Sequence, residues 1–265
     1  MHPIERLRYI ARVQGESGPT IAIEAAWTLA ELATIEPSAL VTACRRLIEH
    51  HPECGPLWWV SAHLVVADDA LAASRRLVAE LCADPVPGLL AAAMDRRLQP
   101  GSGVATAPPV DLLRDALELG RGLSIRVLAD PSEQRFPISL LAAGASDVAG
   151  FGPPEAEAAA AGAAVVVEAL AAGPSAVLVS PSAAALAHEA VRSGAPCWIV
   201  VGAGRALSAS LVAAAASAAT AAGTAEVLSP DEFQLGIGEA GEGDPAAVMS
   251  RTSCPPASEL LARWH

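Results

Sequence analysis

Lysine is absent from this 265-residue chain, and all 17 of its basic residues are arginine. The absence excludes a Walker A phosphate loop and any Schiff-base mechanism, because both require a lysine amine. The net charge at pH 7 is −12. Because a nucleic-acid-binding protein needs a surface that neutralises phosphates, we predict no nucleic-acid partner.

Aromatic residues are scarce as well. They make up 3% of the chain, although 52% of the residues are hydrophobic, so the core must be built from small aliphatic side chains. The five cysteines are odd in number and lack CxxC spacing, which fits reduced thiols in a cytoplasmic protein. The N-terminus lacks a signal-peptide core, and the apolar runs are interrupted, so we predict no membrane contact.

The first 100 residues show helical periodicity and no alternating strand. We predict an all-helical domain over residues 1–100, with helices at 3–14, 20–34, 39–50, 57–66 and 68–82. Residues 99–109 are rich in Pro, Gly and small side chains, and they predict a boundary or a loop. A second domain then covers residues 101–265.

The second domain alternates short apolar runs with helical segments. The predicted strands are Leu123–Ala129, Ser146–Phe151, Ser175–Val179, Pro196–Val201 and Ala225–Leu228. The predicted helices are Leu112–Leu119, Ile138–Ala143, Glu155–Ala172, Ala183–Arg192 and Leu207–Ala222, and the tail Gly236–Pro256 is expected to be irregular. Apolar strands separated by helices predict a Rossmann-like α/β domain with a parallel sheet, whose ligands bind at the carboxyl ends of the strands.

Several polar residues follow these predicted strands. Asp130, Glu133 and Arg135 come after the first strand, and they either contact a ligand or form a turn and a surface ion pair. Ser180 and Ser182 follow the third strand. Their hydroxyls either contact a ligand or cap the next helix, for which Ser182 is the expected N-cap.

The segment Gly202–Arg205 lies between a strand and a helix. Gly202 and Gly204 allow backbone amides to approach an anion, and Arg205 can bind a phosphate through its guanidinium. A full dinucleotide fingerprint would have glycine where Leu207 stands. The segment therefore predicts an anion site or, alternatively, a tight strand–helix turn.

The order of these parts resembles a known family. In GVATAPPVDLLRDALELGRGLSIRVLADPSEQRF (103–136), a loop with Thr106 leads into a helix, a strand, and then Asp130, Glu133 and Arg135. This stretch is similar to the family of methylthioribose-1-phosphate isomerase and ribose-1,5-bisphosphate isomerase. The regulatory subunits of translation initiation factor two-B belong to the same family. The resemblance implies a helical domain followed by a Rossmann-like domain, and a homodimer.

The chain departs from the family at its catalytic motifs. Residues 103–110 lack the family's cysteine, and Val179–Ser182 lacks the aspartate of its Val-Gly-Ala-Asp turn. The family's Asn-Lys-x-Gly-Thr phosphate loop is missing. We therefore expect a non-catalytic relative that binds a phosphorylated small molecule or a protein partner, with no cofactor and no metal. Two alternatives remain: a sugar-phosphate isomerase with a relocated site, and an unrelated nucleotide-binding Rossmann protein.

Overall fold

The fold is described from a computed structural model of the chain. The structure describes residues 2–99, 102–120, 122–128, 135–152 and 163–261. The side chains of residues 135 and 136 lie outside this described part.

The N-terminal region is entirely helical, as predicted. Its helices are α1 (Pro3–Ile10), α2 (Gly18–Ile35), α3 (Leu40–His50), α4 (Gly55–Val65), α5 (Ala70–Cys82) and α6 (Val86–Arg97). Local sequence fixes several of their starts. The Ser17 and Asp69 side chains accept the amides of Thr20 and Ala72 at the beginnings of α2 and α5, which satisfies donors that a helix leaves free.

The remainder is an α/β domain. Its strands are β1 (Gly103–Thr106), β2 (Ser124–Leu128), β3 (Asp147–Phe151), β4 (Ala163–Glu168), β5 (Ala171–Gly173), β6 (Ala176–Val179), β7 (Cys197–Val201), β8 (Glu226–Leu228), β9 (Leu235–Gly238) and β10 (Gly241–Gly243). The helices here are α7 (Asp111–Leu119), α8 (Arg135–Leu141), α9 (Pro181–Ser193), α10 (Ala209–Ala222) and α11 (Pro245–Met249).

Seven of these strands form the central sheet, in the order β10-β9-β7-β4-β1-β2-β3. All neighbours pair in parallel except β10 and β9. The chain moves outward from β1 to β3 on one side and from β4 to β9 on the other. The order therefore reverses between β1 and β4, and such a switch point is where open α/β sheets bind ligands.

Two predicted strands lie outside this sheet. Strands β6 and β8, predicted as Ser175–Val179 and Ala225–Leu228, belong to a separate antiparallel sheet with the order β5-β6-β8. The prediction of parallel pairing was therefore wrong for both. The helix that precedes β8, α10, packs on the small sheet. Alternation of strands with helices therefore did not distinguish the two sheets.

Three other predictions were wrong. Gly103–Thr106, expected in a loop, forms β1 at the centre of the sheet. The predicted helix Glu155–Ala172 covers β4 and most of β5, and its residues 155–162 lie outside the described part. The tail that we expected to be irregular contains two strands and a short helix, β9, β10 and α11.

The core joins the two regions. One apolar cluster includes side chains of α1 to α5 together with Leu178 of β6 and with Leu211 and Val212 of α10. A second cluster lies between the central sheet and α9, and a third lies between that sheet and helices α6 and α7. Helix α6, which the predicted boundary assigns to the helical domain, thus packs on α7 and the sheet.

One stretch of the described residues, Ala70–Arg97, is long and apolar enough by composition to cross a membrane. In the structure it is divided, because α5 ends at Cys82 and α6 begins at Val86. Leu77 of α5 and Leu90 of α6 are fully buried within the protein. The apolar residues of this stretch therefore belong to two separate helices that pack in the core.

Candidate functional site

The carboxyl ends of β1, β4 and β7 meet at the switch point, and a buried carboxylate lies there. Glu168 is the last residue of β4 and has no exposed surface. Its Oε1 accepts the Leu113 amide at 2.9 Å. The Leu112 amide lies close enough to lower the pKa of the carboxyl as well. Both amides belong to the first turn of α7, so the carboxylate occupies the position where a helix N-terminus binds an anion.

Arg205 binds the same carboxylate. The predicted anion-binding side chain is 3% exposed, and its Nη1 lies 3.4 Å from Glu168 Oε2. Nη1 also donates to the Ala169 carbonyl at 2.7 Å. The Arg205 guanidinium is therefore committed to an internal ion pair.

Burial favours the protonated form of Glu168 in this pair. Loss of solvation raises the pKa of Glu168 to about 7, although Arg205 and the Leu113 amide each lower it. Asp111, at the start of α7, adds a smaller increase. Near neutral pH the side chain is therefore in exchange between a carboxylate paired with Arg205 and a neutral carboxylic acid.

The Gly202–Gly204 turn also faces carboxylates of the chain itself. Asp84, which links α5 to α6, accepts the Ala203 amide with Oδ2 at 2.8 Å and the Val86 amide with Oδ1 at 2.9 Å. The Gly204 amide lies close enough to the Glu239 carboxyl to lower its pKa. A Cβ on Gly202 would lie 2.7 Å from the Asp84 carboxylate, so glycine there provides room for an internal carboxylate.

Glu239 lies among other acids. Burial raises the pKa of Glu239, and the charges of Asp84 and Glu80 raise it further, whereas the Gly204 amide lowers it. Carboxylates thus surround the turn that was predicted to hold an anion. Their charge opposes the approach of a phosphate from solvent.

Thr106 has a different environment. It ends β1 beside Val166 of β4, and its side chain is completely buried. Glu168 lies two residues beyond Val166, so side-chain alternation directs both residues to the same face of the sheet. The Thr106 hydroxyl has no hydrogen-bond partner among the described residues.

Ser180 and Ser182 have separate roles. Ser180, not Ser182, is the N-cap of α9, because its Oγ accepts the Ala183 amide at 3.3 Å. The same hydroxyl donates to the Pro108 carbonyl, which ties the start of α9 to the segment after β1. Ser182 lies inside the first turn, so the expectation that it caps the helix was wrong.

The remaining predicted residues cannot be placed at the site. Asp130 and Glu133 lie outside the described residues, as does the side chain of Arg135, whose backbone begins α8. Of the predicted side chains, Thr106 and Arg205 are brought to the neighbourhood of Glu168. Among the described residues no group of three or more His, Cys, Asp or Glu side chains is arranged to hold a metal ion.

Glu168, Asp84 and Glu239 were not predicted from the sequence. Glu168 had a signal, because it is a lone acid at the end of the apolar run Ala163–Val167. The Ala-rich sequence around that run predicts a helix instead. The family's Val-Gly-Ala-Asp turn was compared with Val179–Ser182, which follows a strand of the small sheet, whereas β4 is the strand beside β1.

Comparisons with known proteins identify the fold. No protein-family model matches the sequence, and no curated protein is similar to it. Among solved structures, the translation initiation factor eIF-2B of Pyrococcus horikoshii superposes with a TM-score of 0.73 at 12% identity, covering 92% of this chain and 97% of that one.

Two structures from Chaetomium thermophilum are also similar. eIF2B beta gives a TM-score of 0.69 at 12% identity, over 93% of this chain and 89% of that one. A chain of the tetrameric eIF2B-beta2-delta2 complex gives 0.69 at 14% identity, over 93% and 92%. At these identities the likeness shows the fold, and the resemblance inferred from the sequence is confirmed at that level.

Proposed function

We propose that this chain, which has the fold of the eIF2B regulatory subunits, is a non-catalytic cytoplasmic protein of that fold that acts by binding protein partners, first of all a second copy of itself. One observation carries the proposal. The anion donors identified at the switch point already hold the chain's own carboxylates: Glu168 on α7 and Arg205, Asp84 on Ala203, and Glu239 on Gly204.

The occupied donors argue against a phosphorylated small molecule as the native ligand. A phosphate at α7 would have to displace Glu168 from the Leu113 amide and from a buried guanidinium. Such charge-assisted hydrogen bonds are among the stronger ones in proteins. At the Gly202–Gly204 turn the incoming anion would meet Asp84 and Glu239.

The two alternatives meet the same obstacle. A relocated isomerase site was expected to use Arg205 to bind the anion, but Arg205 is buried and paired. A nucleotide-binding Rossmann protein would use the amides of the Gly202–Gly204 turn, but the Ala203 amide is bonded to Asp84 and the Glu239 carboxyl lies beside the Gly204 amide.

A protein partner is supported by the surface and by the fold. Large apolar side chains are exposed in both regions, including Leu119 at 68% on α7 and Ile35 at 58% at the end of α2. Val66 is also exposed, and the exposed Leu71 lines a cavity together with Thr34 and Pro37. The fold also occurs in the tetrameric complex of eIF2B beta and delta.

Sedimentation velocity tests the assembly. We expect the purified chain to sediment as a dimer, and a monomer at every concentration would contradict the proposal. Leu119→Glu and Ile35→Glu form a matched pair, because each places a charge on one exposed apolar side chain. The variant that dissociates the dimer identifies the region in contact, and the other serves as its control.

A turnover assay tests the absence of catalysis. With methylthioribose-1-phosphate and ribose-1,5-bisphosphate as substrates, we expect no isomerisation above the uncatalysed rate. Turnover at about 1 per second or faster, within the usual range of enzymes, would contradict the non-catalytic assignment.

A further inference from the structure

The groups around Glu168 form a convergent set of anion donors. The Leu112 and Leu113 amides approach its carboxylate from the first turn of α7, which is nine residues long. The Arg205 guanidinium approaches from the β7–α10 connection and is 3% exposed. Two amides at a helix N-terminus and a buried guanidinium are the combination that binds small oxyanions in proteins.

The neighbouring strand β1 provides a fourth donor group. The Thr106 hydroxyl is completely buried, and it has no hydrogen-bond partner among the described residues. It faces the same side of the sheet as Glu168, two residues offset along the neighbouring strand. A buried hydroxyl is normally bonded, so this side chain has capacity for an acceptor that the Glu168 carboxylate does not supply.

We propose that the Glu168 carboxylate occupies a binding site for a small oxyanion. When this side chain is removed, the site can bind a carboxylate or phosphate ion from solution. The site is formed by the Leu112 and Leu113 amides, the Arg205 guanidinium and the Thr106 hydroxyl. Removing the Glu168 side chain leaves a buried cation and two free amides around a space the size of the lost carboxylate. A small external anion restores both the charge balance and the hydrogen bonds.

This site differs from the turn at Gly202–Gly204, where the Ala203 amide is bonded to Asp84 and the Glu239 carboxyl lies beside Gly204. It also does not depend on the proposed function. Turnover by the native chain would contradict the non-catalytic assignment without bearing on the Glu168 site, and failure of an anion to bind at that site would leave the assembly result unchanged.

The experiment compares Glu168→Ala with Glu168→Gln. The alanine variant empties the site, whereas glutamine fills the same space with a neutral group. Thermal unfolding is followed in sodium formate, sodium acetate and sodium phosphate, each against sodium chloride at equal ionic strength. Glu242→Ala removes an exposed carboxylate that pairs with Arg96 and Arg97, so it controls for the loss of a negative charge.

We expect formate, acetate or phosphate to raise the Tm of Glu168→Ala by about 4 °C at saturation. The native chain, Glu168→Gln and Glu242→Ala should show no such specific rise. Adding Arg205→Met or Thr106→Val to Glu168→Ala should reduce the rise, and calorimetry should give one bound anion per chain.

Equal responses of Glu168→Ala and Glu168→Gln to these anions would overturn the proposal. If Glu168→Ala does not fold in chloride, the proposal requires that formate or phosphate restore its folded circular dichroism spectrum. A variant that stays unfolded in all four salts also contradicts it, because the anion would then not replace the side chain.

Discussion

At the scale of single residues, Glu168 and Arg205 are the charged side chains that the described part of the chain buries most completely. Burying one charge without the other is strongly unfavourable, whereas a buried pair is close to neutral for stability. We therefore infer that the pair serves mainly to position the elements it joins. It fixes the end of β4 against α7 and against the β7–α10 connection.

Replacing Glu168 by Gln is expected to change how stability depends on pH. The pKa of Glu168 is raised from 4.5 to about 7 in the folded protein, chiefly by burial. Between pH 4.5 and about pH 7 the folded chain therefore binds a proton at Glu168 that the unfolded chain has lost. Protonation of Glu168 therefore stabilises the folded state. This stabilisation is fully present below pH 4.5 and is lost as the pH rises to about 7, which lowers the free energy of unfolding by about 3 kcal/mol.

The measurement is the free energy of urea unfolding across this pH range for the native chain and for Glu168→Gln. The native curve should fall relative to the variant as the pH rises. Glu242→Gln is the control, because that carboxylate is exposed and its pKa is lowered, chiefly by Arg96 and Arg97 against a burial contribution that raises it. Parallel curves for the native chain and Glu168→Gln would contradict the assignment.

The interaction of Glu168 with Arg205 is expected to depend on pH as well. In a double-mutant cycle of Glu168→Gln and Arg205→Met, we expect a coupling free energy of about 1–3 kcal/mol at about pH 8.5. At about pH 5 the carboxyl is neutral, and the coupling should fall below half of that value. Equal coupling at both pH values would show that the ionic form of the pair does not matter.

Individual residues were predictable from the sequence only in part. Arg205 was identified because it follows two glycines after a strand, but its partner is 37 positions away in the sequence. Asp84 is 119 positions from the amide that it accepts. Contacts at such separations depend on the order of the strands, which local patterns do not contain.

At the scale of elements, Gly204 in the β7–α10 connection can be compared with Gly223 at the C-terminal end of α10. Both have φ of +71°, a conformation that L side chains rarely adopt. A Cβ at Gly204 would lie 2.9 Å from Leu81 Cδ2 and 3.3 Å from Trp59, whereas a Cβ at Gly223 would meet nothing within 4 Å.

We therefore expect Gly223→Ala to lower the free energy of unfolding by about 1 kcal/mol through backbone strain alone. Gly204→Ala should lower it by about 1–3 kcal/mol more, because the helical region must shift. Urea unfolding measures both. Equal losses for the two variants would show that the contact with Leu81 and Trp59 is unimportant.

The elements also show where sequence patterns were sufficient. Five of the six helices in the first 100 residues were predicted from their periodicity, and proline marks the starts of several of them. Helix α6 was not predicted. Strand β4 was missed because it lies in an Ala-rich context that favours helix, although its centre is three consecutive valines. The cap of α9 was placed two residues late, since Pro181 at the first helical position marks Ser180 as the cap.

At the scale of the whole molecule, the shared core predicts cooperative unfolding. The cluster that includes α1 to α5 continues into β6 and α10. The Gly55 amide, at the start of α4, donates to the Leu170 carbonyl at 3.1 Å, and a Cβ at Gly55 would lie 2.4 Å from that oxygen. The helical region and the α/β region are therefore in close backbone contact.

Scanning calorimetry should show one unfolding transition for the whole chain. Gly55→Ala should lower its Tm by several degrees without splitting it, since about 2 kcal/mol lost in a chain of this size shifts Tm by roughly 4–8 °C. Gly88→Ala, on α6 with nothing within 4 Å of its Cβ, should raise Tm slightly because alanine favours helix. Two separate transitions would show that the regions unfold independently.

The central claim is that the switch-point site is occupied by the chain's own carboxylates, and calorimetric titration of the intact protein tests it most directly. Ribose-1,5-bisphosphate and methylthioribose-1-phosphate are titrated into the native chain and into Arg205→Met at neutral pH. An occupied site predicts no saturable heat from either sugar phosphate. Saturable binding of one molecule per chain to the native protein, lost in Arg205→Met, would contradict it.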